Sequence, residues 1–279
     1  MRNSLRLNIA FLTFLIKNPK IFLLALLLGG LVYSYEFFVA RDTMSYMGVP
    51  KATDSTIKHA TRIFRNEAYM VGYSDIKGNP LWVVYQLKPT PKGTHSLKRP
   101  DSFSTDWRNL GLVTPQDYTN SGYDRGHMAP NHAIALLYGK QAQEETFLMT
   151  NITPQKPSLN QKLWQQLEVI ELEQFTPKFN VLWVYSGPLF TTNPSYLKSA
   201  FHIEIPEAFY KIYLGIEENG SIKALAFIIP QKAKMRDALK KYVVSIDEVE
   251  RRSGFDFFYQ LDDTIEDALE KEIDAKNWF

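Results

Sequence analysis

Residues 21–39 read IFLLALLLGGLVYSYEFFV, nineteen positions with one charge, Glu36. At about 1.5 Å of rise per residue, a helix of that length spans about 28 Å, close to the hydrocarbon thickness of a bilayer. The stretch is apolar all round, which argues against a helix packed in a soluble core. Arg2, Arg6, Lys17 and Lys20 precede it. That bias directs the N-terminus to the cytoplasm and the rest of the chain to the other side. A cleaved signal peptide is the rival reading, but Phe37-Phe38-Val39-Ala40 offers no small-x-small cleavage site. The sequence favours an uncleaved transmembrane anchor within 1–40 and leaves 41–279 to fold beyond the membrane.

The chain of 279 residues is 45% hydrophobic and 14% aromatic. That is enough for one large packed domain or two small ones and excludes disorder for most of the length. Cysteine is absent. Disulfides, thiolate zinc sites, iron–sulfur clusters and cysteine nucleophiles are therefore excluded, although the compartment is not fixed. The net charge of +2 conceals a gradient: +3 over 1–40, +6 over 41–244 and −7 over 245–279. A basic middle is compatible with a polyanionic partner without demanding one.

Ala68–Tyr73 and Leu81–Leu87 are rich in β-formers, and the turn chemistry of 75–80 between them predicts a hairpin. A short amphipathic helix is predicted over Ser55–Phe64, a loop over Lys88–Ser104, and a short helix leading into a strand near Gln143–Asn151. Ser158-Leu159-Asn160-Gln161 has the form of a capping box with Pro157 outside it, and Leu163, Leu167 and Ile170 mark one buried face of the helix that follows. Val181–Ser186, Phe209–Ile216 and Ala224–Ile229 read as strands. A helix is predicted from Ile246, and Asp263–Lys276 reads as a solvated acidic helix. Helices and strands mix without a βαβ rhythm, so the fold class is α+β.

The chemistry concentrates in Tyr123-Asp124-Arg125-Gly126-His127-Met128-Ala129-Pro130, then Thr150-Asn151-Ile152-Thr153-Pro154-Gln155, then Asn160 and Glu168. Arg125 can neutralise a phosphate, and Gly126 permits a close backbone approach. His127 is the natural group to take a proton from water. Asn160 lies in the first turn of a helix, where free N–H groups suit an anion, and its amide oxygen is a neutral, hard ligand for a hydrated cation such as magnesium. Glu168 is eight residues on, about 12 Å of rise and about 80° beyond two turns, and would act through a metal-bound water. Asp124 reads as a residue that pins the loop backbone. His59, His95, His132 and His202 show no partner pattern.

This set resembles the DNA/RNA non-specific endonucleases, the family of the Serratia-type nuclease and endonuclease G. The likeness rests on Asp124-Arg125-Gly126-His127, on Asn151 with Pro154-Gln155, and on Leu159-Asn160 followed by Glu168. Leu81–Tyr85, Asp117-Tyr118, Ser186–Phe190 and Val249–Gly254 resemble flanking signatures, so the likeness covers roughly 45–260.

The resemblance implies a ββα-metal endonuclease core on a mixed, mostly antiparallel sheet. It implies His127 as general base, Asn160 as the one protein ligand of Mg2+ (Mn2+ being the alternative), and Glu168 as the residue holding that ion's waters. Asn151 would help place histidine and phosphate, Arg125 is the motif arginine, and Arg99 matches an upstream phosphate-contacting arginine, with Arg108 as runner-up. DNA and RNA are the implied substrates, with 5′-phosphate and 3′-hydroxyl products, and a homodimer the implied assembly. The N-terminus then implies a membrane-anchored enzyme on the periplasmic or extracellular side, or in mitochondria if the source is eukaryotic. Two other readings share these residues: a phosphodiesterase for a non-nucleic-acid substrate, and a membrane-tethered nucleic-acid-binding protein without catalysis.

Overall fold

In a computed structural model of the chain, residues 14, 16–234, 236–273 and 275–279 are described; Arg2 and Arg6 of the basic flank lie outside them. The chain divides into two units, Met1–Thr43 and Met44–Phe279.

In the first unit Pro19 opens helix α1 (Pro19–Tyr35), where its missing N–H costs nothing. A single π-helical turn, Glu36–Ala40, follows. No residue of α1 is buried. The helical stretch Pro19–Met44 has a mean hydropathy of 1.9 over its most apolar window and is long enough to cross a membrane.

The second unit is built on a seven-stranded antiparallel sheet. Among the described residues the strands of the unit in chain order are β1 (Lys51–Ala52), β2 (Arg62–Arg65), β3 (Tyr69–Ser74), β4 (Asn79–Leu87), β5 (Asp124–His127), β6 (Ile152–Gln155), β7 (Val181–Leu189), β8 (Tyr196–Leu197), β9 (Ala200–Glu204), β10 (Ala208–Ile216), β11 (Ile222–Pro230), β12 (Val243–Val244) and β13 (Phe255–Asp256). The main sheet runs β12-β11-β10-β7-β4-β3-β2, and β1–β13, β5–β6 and β8–β9 form two-stranded ribbons. The β3–β4 hairpin forms as predicted.

Both faces of this sheet are covered, so β3, β4, β7, β10 and β11 read as near-continuous apolar runs rather than alternating ones. One face places Tyr69, Val71, Tyr85, Phe209 and Tyr213 against Leu163, Leu167 and Ile170. The other places Trp82, Tyr185, Tyr210 and Ile212 against Ile246, Val249 and Phe257. At Gly72 an added Cβ would lie 2.1 Å from the Trp82 indole, so the glycine gives Trp82 the room to lie across β3.

The remaining longer helices are α2 (Asn131–Tyr138), α3 (Lys140–Glu145), a rod over 157–175 termed α4, α5 (Ile246–Ser253) and α6 (Asp263–Lys271). Rod α4 is π-helical over Leu159–Trp164 and Glu171–Phe175 and α-helical over Gln165–Ile170.

Three local expectations are corrected. Ser55–Phe64 is not one helix: a short 3₁₀ turn, Ile57–His59, precedes edge strand β2. The Arg62 guanidinium holds that strand through Asp75, with Nε 2.6 Å from Oδ2. Ser158 makes no side-chain cap and is itself helical. The helix instead begins at Pro157, with Leu159 N–H and Asn160 N–H donating to the Lys156 carbonyl. The acidic helix α6 ends at Lys271 and buries Leu269 and Glu270, so it is not merely a solvated face.

Candidate active site

Antiparallel ribbon β5–β6 carries the Asp-Arg-Gly-His residues. Its register pairs Asp124 with Gln155, Gly126 with Thr153 and His127 with Ile152. A Cβ on Gly126 would fall 2.3 Å from the Gln155 side chain, so the glycine serves the packing of the neighbouring strand rather than the approach of a ligand. The turn after His127 is held by Asn151. Its Oδ1 accepts from Ala129 N–H at 2.8 Å, and its Nδ2 donates to the carbonyls of Ala129 (3.0 Å) and Thr146 (2.9 Å). Asn151 is wholly buried, both ends of its amide are taken by backbone, and it does not line the cavity.

Ribbon, α2 and α4 surround a cavity of about 510 Å³ into which Arg99, Arg125, His127, Asn160 and Glu168 all face. Arg108 is not among the lining residues. It grips Asp106 (Nη2 to Oδ2, 2.7 Å) and reaches the Asn66 side chain. Arg99 lies over the Phe147 ring at 5.0 Å and makes no ion pair among the described residues. Arg125 donates through Nε and Nη2 to the Pro115 carbonyl and lies over Phe103 at 5.5 Å. His132, which shows no partner pattern in the sequence but lies near His127 there, also lines the cavity. His59 and His202 lie elsewhere, beside Asp54 and Asp117.

His127 is 9% exposed, and its ring sits between Phe103 (5.4 Å) and Phe147 (5.0 Å between centroids). Its Nε2 has no hydrogen-bond partner among the described residues. Burial, reinforced by the Arg99 charge, lowers its pKa to about 3, so the imidazole is neutral at physiological pH and its Nε2 is not occupied by a proton held in an ion pair.

Asp124 corrects the sequence reading. Its carboxylate holds side chains of α4 rather than loop backbone: Oδ2 accepts from Asn160 Nδ2 at 2.9 Å and from Gln161 Nε2 at 2.8 Å. Burial raises Glu168 to about 7, with Lys211 pulling the other way. The π-helical turn at Leu159–Trp164 lowers the rotation per residue. That narrows the offset of about 80° that an ideal α-helix would leave between Asn160 and Glu168, and both meet one cavity.

A family model described as DNA/RNA non-specific endonuclease matches residues 51–264. The chain belongs to that family. This endonuclease is 29% identical over 235 residues to a nuclease of Nostoc sp., covering 80% of this chain and 82% of the relative. It is 31% identical over 206 residues to mitochondrial endonuclease G of Homo sapiens, covering 68% and 67%. Its fold matches a crystal structure of the EndoG/EndoGI complex with a TM-score of 0.57 at 23% identity, over 72% of this chain and 86% of that one.

Beneath the cavity, the endonuclease carries a polar cluster that sequence reasoning did not single out. Lys211 of β10 is wholly buried and donates to Glu171 Oε2 at 2.6 Å and to the Tyr85 hydroxyl at 3.1 Å. Tyr213 donates to the same Oε2 (2.7 Å) and Tyr85 to Oε1 (3.0 Å). The signal was present: a lone lysine inside the otherwise apolar AFYKIYLGI must find a counter-charge to be tolerated there.

Proposed function

We propose that this endonuclease hydrolyses phosphodiester bonds of both DNA and RNA, with His127 as general base and one Mg2+ ion held through Asn160. One observation carries the reading: His127, Asn160, Glu168, Arg99 and Arg125, drawn from three separate stretches of chain, share one cavity.

The donor set suits a hard cation. Asp124 takes the Asn160 Nδ2 hydrogen, which leaves the amide oxygen as the donor atom toward the cavity, with the Asp124 and Glu168 carboxylates nearby as anionic surroundings. Asn160 would hold the ion and Glu168 its waters; Mn2+ fits the same oxygen donors. When bound, such an ion supplies charge stabilisation to the phosphate and the departing 3′ oxygen.

The rest falls to side chains. Arg99 and Arg125 neutralise the phosphodiester, which otherwise repels an incoming nucleophile. His127 Nε2, neutral and unpartnered, takes a proton from water as its oxygen attacks phosphorus and the P–O3′ bond breaks. The departing O3′ takes a proton from solvent water, which leaves 5′-phosphate and 3′-hydroxyl ends. Asn151 positions His127 from behind by fixing the turn at Ala129. Water as nucleophile makes a 2′-hydroxyl unnecessary, so RNA and DNA both qualify, and contacts aimed at phosphate carry little sequence information.

The fully exposed apolar helix α1 supports a membrane anchor with Met44–Phe279 outside the cytoplasm. The likeness to the mitochondrial endonuclease G of Homo sapiens offers mitochondria as the organellar version. A homodimer is part of the reading by resemblance, and sedimentation of the detergent-solubilised chain decides it. The deciding experiment is digestion of supercoiled DNA and of RNA by the full chain in detergent. Cleavage of both with magnesium, abolished by EDTA, supports the reading; metal-independent binding without cleavage ends it.

A further inference from the structure

Among the described residues, four acidic side chains are buried: Asp106, Glu171, Glu204 and Glu270. Three have a cation at hydrogen-bonding distance: Asp106 meets Arg108 at 2.7 Å, Glu171 meets Lys211 at 2.6 Å, and Glu204 meets Lys77 at 2.6 Å. Glu270 does not. It is 7% exposed, and its Oε1 is buried with no hydrogen-bond partner among the described residues. A buried carboxylate without a counter-charge is strongly disfavoured, and the contact that Glu270 makes with the Glu250 carboxyl needs either a shared proton or a cation to hold two acids together.

The neighbours of Glu270 add further acidic groups. Where α6 packs on α5, its carboxylate meets those of Asp247 and Glu250, with one oxygen from each of the three lying within 4.8 Å of the others. Asp247 and Glu250 are three residues apart on α5 and so share a face. Glu250 is held in orientation by Phe257 N–H, which donates to its Oε1 at 2.7 Å. The other charges bearing most on the pair are Asp256 and Glu266, both negative. None of these residues lines the catalytic cavity.

We propose that Asp247, Glu250 and Glu270 form a second cation site, remote from the catalytic cavity, that takes a hard divalent ion, calcium by preference, and clamps helix α6 onto α5. Calcium accepts carboxylates singly or in pairs at irregular angles and completes its shell with water, whereas magnesium demands a near-ideal octahedron. Asp247 is exposed, so the ion has an entry from solvent and room for waters on that side. The chemistry is independent of the catalytic reading, and so is its test.

The full chain in detergent, stripped with chelator, is followed by thermal unfolding as calcium is added at constant ionic strength. The expected result is a midpoint rise of about 3–6 °C once calcium exceeds its Kd tenfold. The same rise is expected in Asn160→Ala, which removes the catalytic ligand. It should vanish in Glu270→Gln and in Asp247→Asn. The latter changes an exposed residue and so keeps the test open if the former fails to fold. Calorimetric titration of Asn160→Ala should give one calcium site per chain. No calcium response, or a response that survives in Asp247→Asn, overturns the proposal and leaves Glu250 and Glu270 sharing a proton instead.

Discussion

The Asp124 carboxylate accepts the Asn160 Nδ2 hydrogen at 2.9 Å. A primary amide has two ends of similar size, and only one of them can bind a cation. By capturing the nitrogen, Asp124 decides which end faces the cavity. In Asp124→Ala the amide can turn over, and the metal concentration for half-maximal cleavage should rise about 10–100-fold with little change in rate at saturation. Metal titrations that superimpose on those of the parent would remove Asp124 from the site.

His127→Ala should lose about 10²–10⁴-fold in rate while circular dichroism stays that of the parent. Undiminished plasmid nicking by a folded His127→Ala ends the general-base assignment.

The pH dependence should belong to Glu168. Burial and Arg99 hold His127 near 3, so the ring stays neutral through the working range. Burial holds Glu168 near 7, so its ionised fraction falls as pH drops below that value. A cation favours the ionised form, so the acid limb of kcat/KM should move to lower pH as magnesium is raised. It should also persist in the residual activity of His127→Ala. A limb near 6.5 that ignores magnesium would mean that the imidazole titrates after all.

Arg99 and Arg108 should separate cleanly. Arg99→Ala should weaken nucleic-acid binding, lower cleavage and reduce the salt dependence of binding by about one charge, with an unchanged melting temperature. Arg108→Ala should do the reverse, since it leaves the buried Asp106 without its guanidinium; a stability loss of roughly 3 kcal/mol follows. Filter binding across a salt series beside thermal melts reads both.

Lys211→Met should cost about 3–5 kcal/mol by leaving Glu171 charged and buried, and Lys211→Met with Glu171→Leu should recover most of that. Denaturant melts of the two variants measure the difference. A single substitution as stable as the parent would show that Glu171 is protonated in the folded chain.

Much of this was legible in the sequence because the information is local. The β3–β4 hairpin follows from turn residues between two β-rich runs, and α1 from an uninterrupted apolar stretch. The cavity residues surfaced because the spacing from Asp124 to Glu168 matches a known family. What escaped depends on distant pairing. Edge strand β2 looks amphipathic at helical spacing until Arg62 meets Asp75. The role of Asp124 needs α4 to arrive 36 residues later. Ser158 reads as a cap only while Pro157 is assumed to lie outside the helix. Phe103 and Phe147 enclose His127 from outside its motif, and no periodicity announces that.

The Lys211–Glu171 pair couples completion of the fold to the power to cut. Its cation comes from the sheet and its anion from the rod that also carries Asn160 and Glu168. Until sheet and rod have docked, each charge is stranded, and the apolar face of the rod lacks the surface it packs on. A chain in which sheet and rod have not docked therefore does not hold Asn160 and Glu168 beside His127.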